Sequence, residues 1–320
     1  MRKIISLLIA VLLIAALFCG CNGTAVTNKK YSVVTTVFPE FDWTKEILGD
    51  RSSDFDLTML IDSGVDLHSF QPTASDMMKI SNCDLFIYIG GESDKWVGDA
   101  LKQANNDKMI ALNLLEVLGD QAKNEETVEG MQESDEEEEE EAYDEHVWLS
   151  LKNAAVFCEK IKNALSEIDP ENADVFAENC KEYVGKLNDL DSQYDEVAKN
   201  AKIKTLLFCD RFPFRYLTAD YGLSYYAAFS GCSAESEASF ETVKFLADKV
   251  SEFSLKAVIT LENSDNKIAD TVIKTSGKSD VKILTLDSMQ SATQNDVQNG
   301  VTYLSVMQKN LETLKIALGE

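Results

Sequence analysis

Apolar and polar positions along this chain follow two periods in alternation, and that order sets the expected architecture. In the first half, short β-branched or aromatic runs read as buried strands at Tyr31 to Val37, Phe55 to Ile61, Asp84 to Gly90 and Met109 to Leu114. Stretches with helical spacing lie between them: FDWTKEIL, Thr73 to Ile80 and Lys95 to Ala104. Strand and helix in alternation require crossover connections, which give a parallel sheet covered on both faces. The second half repeats the pattern with strands at Thr205 to Asp210, SYYAAF, Leu255 to Glu262 and Val281 to Asp287. Its helices are predicted at Phe214 to Tyr221, Ser239 to Phe253, from Lys267, and in a last segment ending at Leu318. Between the halves, Asp169-Pro170 caps a run with Val175, Phe176, Tyr183, Leu187, Leu190, Tyr194 and Val197 at helical spacing. One helix from Pro170 to Ala201 would extend roughly 45 Å, enough to span two lobes. The pattern predicts an α/β fold of two lobes, residues 31–168 and 202–320, each a parallel sheet flanked by helices. One long connecting helix, 169–201, joins them.

The first residues change the picture of where the chain works. Arg2 and Lys3 precede an apolar run from Ile4 to Phe18, followed by small residues and Cys21. This is the pattern of a secretory signal, too short for an ordinary membrane span. Leu17-Phe18-Cys19-Gly20-Cys21 resembles a lipoprotein processing box, so residues 1–21 are read as a lipoprotein signal ending at Cys21, the lipid anchor, with 22–30 as a polar tether. Five cysteines remain in the body: Cys83, Cys158, Cys180, Cys209 and Cys232. They show no C-x-x-C spacing, so neither a disulfide framework nor a thiolate metal site is indicated.

Charge excludes one class of partner. The formal net charge is -25, with no basic face of any length to meet phosphates, so nucleic acid is not a partner. Thirteen of the acidic residues lie between Asn124 and Glu145, with no Lys or Arg among them. Such a run repels itself and buries no apolar area, so residues 124–145 are expected to be a solvated, disordered loop. Carboxylates at that density would also raise the local concentration of cations.

The run ends at one of only two histidines. His68 lies in a loop rich in Gly, Ser, Asp and Pro after the second strand, and His146 lies between the fourth strand and a helix at Leu149 to Ile168. Ligands of open parallel sheets gather beyond the carboxyl ends of strands, so the two imidazoles can meet at the rim.

Here the chain resembles the metal-binding lipoproteins that feed zinc or manganese to bacterial ABC importers, the cluster A-I solute-binding proteins. Val65-Asp66-Leu67-His68-Ser69-Phe70-Gln71-Pro72 resembles that family's first ligand motif, V-x-x-H-x-x-x-P. Asp144-Glu145-His146-Val147-Trp148-Leu149-Ser150 resembles the second, D-P-H-x-W-L-D/S, with Glu145 in place of proline. Gly231 to Ser239 resembles the G-x-S-x-E-x-E-P-S signature, and Leu284-Thr285-Leu286-Asp287 the closing segment. The third-ligand segment resembles Asp210 to Leu217, which holds no histidine; one register puts Asp210 at the ligand and another Cys209.

The resemblance implies a Zn2+ ion, with Mn2+ as the alternative, held between the lobes by His68, His146, Asp210 and Asp287. Glu262, at the end of a strand, is read as wall of the site and as a lesser candidate for ligand. It further implies an extracytoplasmic monomer, lipid-anchored to the bacterial cell membrane, that delivers metal to an ABC permease. A manganese receptor of the same family and a metal-stabilised adhesin lipoprotein are the alternatives. No H-E-x-x-H and no serine elbow occur, so no enzyme is expected.

Overall fold

A computed structural model describes residues 30–132, 142–233 and 237–319. The expected signal, Cys21 and most of the tether lie outside the described residues. From Tyr31 the chain forms one unit holding two four-stranded parallel sheets. The first contains β1 (Tyr31–Thr35), β2 (Phe55–Met59), β3 (Leu85–Tyr88) and β4 (Ile110–Asn113), in the order β2-β1-β3-β4. The second contains β5 (Thr205–Phe212), β6 (Ser224–Ser230), β7 (Ala257–Leu261) and β8 (Lys282–Leu286), in the order β6-β5-β7-β8. Each sheet thus starts on an inner strand, steps to one edge, then crosses back over itself. That reversal leaves a crevice beyond the carboxyl ends of the strands.

Three apolar clusters hold these sheets. Helices α1 (Phe38–Leu48), α2 (Ala74–Asn82), α3 (Val97–Lys102) and α4 (Leu114–Leu118) belong to the first lobe. Val34, Ile80, Phe86 and Val97 fill a small outer core between the first sheet and α2 and α3. The second lobe has α7 (Arg215–Tyr221), α8 (Phe240–Glu252) and α9 (Lys267–Ser276); Leu207, Val258, Leu246 and Val272 form its own outer core. The largest cluster runs between the lobes and takes in residues of both sheets together with α1, α5 (Leu151–Ile168), α6 (Ala173–Asn200) and α11 (Tyr303–Leu318). A short helix, α10 (Gln294–Gln298), precedes α11.

The connecting helix arises as the spacing predicts. Phe176, Cys180, Tyr183, Leu187, Leu190, Tyr194 and Val197 are its buried stripe, recurring every three or four residues. Its start differs in detail: Pro170–Asn172 form a 3-10 turn, and the α-helix begins at Ala173. Gly185 does not interrupt it, and a Cβ there would meet nothing within 4 Å. The 28 residues span about 42 Å.

At Trp148 the two lobes are bonded directly. Its indole Nε1 donates to Ser288 O at 2.8 Å, and its own carbonyl accepts from the Tyr303 hydroxyl at 2.6 Å. Tyr303 N in turn donates to the buried carboxylate of Asp42 at 2.8 Å. All these groups lie in dry surroundings, where an unpaired polar atom is costly, so the set acts as one staple between α1, the loop before α5, and the second lobe.

The acidic run departs from expectation at its ends. Asn124 and Tyr143 form an antiparallel bridge, and Glu125 N donates to Ala142 O at 2.9 Å. Glu126 pairs with Arg215 at 3.0 Å and accepts from the Tyr225 hydroxyl at 3.2 Å. Residues 124–132 and 142–145 are therefore part of the fold: Glu125 and Glu126 find donors on the second lobe, and Asp144 and Glu145 find theirs on the first. Residues 133–141 lie outside the described residues. No helix among the described residues is long and apolar enough to cross a membrane.

Candidate metal centre

His68 sits in a 3-10 turn, Leu67–Ser69, that closes the loop leaving β2. Asp66 caps the turn, its Oδ1 accepting from His68 N at 3.0 Å, which fixes where the ring begins. His146 immediately precedes a second 3-10 turn, Val147–Leu149, and is fully buried. The loop after β2 and the segment that leads into α5 thus deliver the imidazoles to one place. His68 Nε2 lies 3.2 Å from His146 Nε2. Two nitrogens bound at about 2.0–2.1 Å to one ion at the tetrahedral angle stand roughly 3.4 Å apart, so the pair is already spaced for a shared ion.

The other ring nitrogen of each histidine is held from behind. His146 Nδ1 lies 3.1 Å from Asp144 Oδ1, an oxygen that also accepts from His146 N at 2.9 Å. His68 Nδ1 lies 2.8 Å from Ser93 Oγ and 3.3 Å from Glu145 Oε2. With these partners on Nδ1, the tautomer protonated at Nδ1 is the one that leaves Nε2 of each ring free to bind a cation in the gap. Burial alone would lower the pKa of His146, but the charge of Asp144 and its hydrogen bond outweigh it, and the net shift is upward. The imidazole is therefore a more basic, stronger donor than an unperturbed one.

Glu145 is buried, and its Oε1 accepts from Ser93 N at 2.8 Å. Burial would raise its carboxyl, yet the bonds from His68 and Ser93 hold it below the usual range. Gly91 makes room for it. At φ +81°, a Cβ on that residue would fall 2.4 Å from Glu145 Oε1, so only glycine admits the carboxylate.

A third donor reaches the pair from the second lobe. Among the described residues, one group of metal-ligating side chains comes together: His68, His146 and Cys232, with one donor atom of each lying within 4.8 Å of the others. Cys232 lies in the turn after β6. Its N–H donates to Glu125 Oε1 at 2.9 Å, a bond that ties this turn to the foot of the acidic run. Burial, with Glu125, Asp144 and Glu145 close by, pushes its thiol well above the ordinary value. Without a cation the position holds a neutral thiol in a ring of carboxylates.

The two aspartates expected to complete the shell are not in that group. Asp210 stands in a bulge where the register of β5 against β6 shifts between Phe208 and Arg211, and the strand runs on to Phe212 instead of ending at Asp210. Its oxygens accept from Arg211 N at 2.9 Å and Leu261 N at 3.3 Å. Asp287 accepts from Met289 N at 2.8 Å and turns the chain after β8. Both serve backbone donors in the places shown. Cys209, the other register's candidate, is buried in the outer core of the second lobe. Glu262 grips Ser288, accepting from its N–H at 2.7 Å and its hydroxyl at 2.6 Å, as a wall residue would. The five described cysteines are free thiols.

A cleft of about 260 Å³ opens beside the histidine loop, lined by Asp66, Asp210, Arg211, Glu262, Ser264 and Gln290 among others. Arg211 crosses it to pair with Asp66 at 2.7 Å. Burial would raise the Asp66 carboxyl, but the guanidinium holds it below the usual range. Sequence reasoning gave no role to Cys232, Asp144, Ser93 or Arg211, although Asp144 stands in the second motif, Arg211 in the third-ligand segment and Cys232 in the G-x-S signature; Ser93 carried no signal.

The family model described as zinc-uptake complex component A, periplasmic (ZnuA), matches residues 33–317. The chain is 33% identical over 316 residues to the zinc-binding lipoprotein AdcA of Streptococcus pneumoniae, a match covering 98% of this chain and 60% of that protein. It is 32% identical over 324 residues to the high-affinity zinc uptake system protein ZnuA of Bacillus subtilis, covering 96% of this chain and 94% of that one. The crystal structure of the Zn(II)-bound ZnuA-like domain of Streptococcus pneumoniae AdcA is similar with a TM-score of 0.71 at 30% identity, over 91% of this chain and 100% of the domain. The chain spans 56–60% of the length of the streptococcal relatives it matches. A match that runs from β1 to within three residues of the chain's end, over the same two-sheet architecture, makes this chain a member of the ZnuA family of metal-binding solute-binding proteins.

Proposed function

We propose that this chain captures a divalent transition metal outside the cytoplasm, zinc before manganese, and delivers it to an ABC permease. The observation that carries this reading is the 3.2 Å approach of two imidazole nitrogens whose rings are oriented from behind by Asp144, Ser93 and Glu145. Imidazole donors favour zinc over manganese by the usual stability order. The relatives named as zinc-binding support the same choice. The reading includes a lipid anchor at Cys21, a monomeric state and no catalysis. It keeps Asp210 and Asp287 as carboxylates that could turn to the ion if the lobes rearrange on binding. Titrating the purified chain with zinc against a chelator tests the reading: one tight equivalent is expected, lost in the His68→Ala/His146→Ala double variant. Equal binding by the double variant would overturn it.

A further inference from the structure

The first lobe supplies two nitrogens, and an ion held between lobes needs a partner from the second. The segments expected to provide it do not do so in this structure. Asp210 and Asp287 are engaged by backbone N–H groups, and Arg211 presents a cation, not a ligand, to the same cleft. Among the described residues, Cys232 is the metal-ligating side chain from the second lobe that groups with the histidine pair.

Its placement is built by its neighbours. At Gly231 a Cβ would lie 2.8 Å from Phe212 O, 3.1 Å from His146 Cε1 and 3.3 Å from His146 Nδ1. The missing side chain therefore allows the backbone after β6 to press against the histidine ring, and Cys232 follows directly. Glu125 then holds the Cys232 N–H from the other side of the boundary. The remaining four described cysteines are buried in the cores, whereas Cys232 is partly exposed at the site. A thiolate and an imidazole on one tetrahedral zinc stand roughly 3.5 Å apart, with about 2.3 Å for the sulfur bond, so a separation within 4.8 Å closes by a side-chain movement of about an ångström.

We propose that Cys232 is a metal ligand, so that His68, His146 and Cys232 form a centre of two nitrogens and one sulfur, closed by the second lobe. This rests on the metal-capture reading above and specifies its selectivity. A thiolate is a soft donor, which suits zinc and disfavours manganese, whose preference is for oxygen. Two neutral imidazoles and one thiolate leave a bound divalent ion one positive charge, and the nearby Asp144, Glu145 and Glu125 compensate it through space. Binding displaces the thiol proton: the S–H bond breaks, the sulfur pair forms the metal bond, and the proton leaves to solvent.

X-ray absorption at the zinc edge, on the full chain loaded with one equivalent, tests this. The expected first shell contains one sulfur at about 2.3 Å together with nitrogen or oxygen at about 2.0–2.1 Å. In Cys232→Ser the sulfur shell disappears, zinc affinity falls at least about tenfold, and manganese affinity changes less than about threefold, reflecting the soft-donor preference. Cobalt loading gives a second readout, a sulfur-to-cobalt charge-transfer band present in the native chain and absent in Cys232→Ser and Cys232→Ala. Zinc bound with a purely nitrogen and oxygen shell, and equally well by Cys232→Ser, would overturn thiolate ligation while leaving metal capture standing. Failure of the native chain to bind zinc at all would overturn both.

Discussion

Replacing Asp144 with Asn separates charge from shape at the histidine that is fully enclosed. The Asp144 side chain is 2% exposed, and one of its oxygens serves both His146 N and His146 Nδ1. Asparagine keeps an oxygen in that place, so both hydrogen bonds and the ring orientation survive. What disappears is the negative charge. Carboxylate partners behind a ligating histidine typically contribute 10- to 100-fold in metal affinity, equivalent to about 1.4–2.7 kcal/mol. Asp144→Asn should therefore weaken zinc binding at neutral pH by about that factor. Proton competition moves the other way. With the charge present, His146 protonates at a higher pH than an ordinary imidazole despite burial, so zinc is lost early as the pH falls. Without it, burial is opposed only by the charges of Glu145 and Glu125, the ring resists protonation more, and the acid limit of binding moves to lower pH. Chelator-competition titrations at steps between about pH 5 and 8 read both effects at once. Unchanged affinity at neutral pH, or an acid limit that moves upward, would refute the contribution of the Asp144 charge to metal binding by His146.

Three further outcomes are expected. Tyr303→Phe removes the donor to Trp148 O and leaves a buried carbonyl unpaired, which should cost about 1–3 kcal/mol in denaturant unfolding; no loss would show that the staple between the lobes is slack. Burial pushes the Asp42 carboxyl up to about 6 from 3.8, despite the Tyr303 N–H bonded to it, so the native state holds a proton that the unfolded chain has released. Its stabilising contribution is complete below pH 3.8 and lost as the pH rises through 6, by about 3 kcal/mol. Asp42→Asn should accordingly match the native chain in unfolding experiments at about pH 4 and exceed it at about pH 7.5, and equal stability at both would contradict the linkage. Deleting residues 133–141, eight of which are acidic, should slow zinc capture at low salt and leave equilibrium affinity within about threefold, since screened charges act on encounter more than on the bound state. An equilibrium loss of about tenfold would instead place those carboxylates at the ion.

The sheets, their helices and the 28-residue connector were legible because each rests on a local period: uniform apolar runs for strands buried on both faces, and a three-and-four spacing for α6. The histidine pair was legible through rarity and its motifs. Which second-lobe side chain stands nearest that pair was not. Asp210 and Asp287 sit at strand ends where an aspartate can serve a ligand or a turn equally well, and the bulge in β5 that turns Asp210 onto backbone donors leaves no sequence mark. Cys232 was passed over because thiolate sites were sought by spacing along the chain, whereas its partners His68 and His146 lie far off in sequence and meet it only in space. The ends of the acidic run failed for a related reason. Composition reports self-repulsion but not the Arg215 and Tyr225 groups, from the far lobe, that pair with Glu126.

The central claim is that one ion joins both histidines at the seam between the lobes, and anomalous diffraction at the zinc edge from zinc-loaded crystals tests it most directly. A single peak about 2.0–2.1 Å from both His68 Nε2 and His146 Nε2 is predicted. A strong peak elsewhere, with the two imidazoles still in mutual contact and no metal between them, would contradict it.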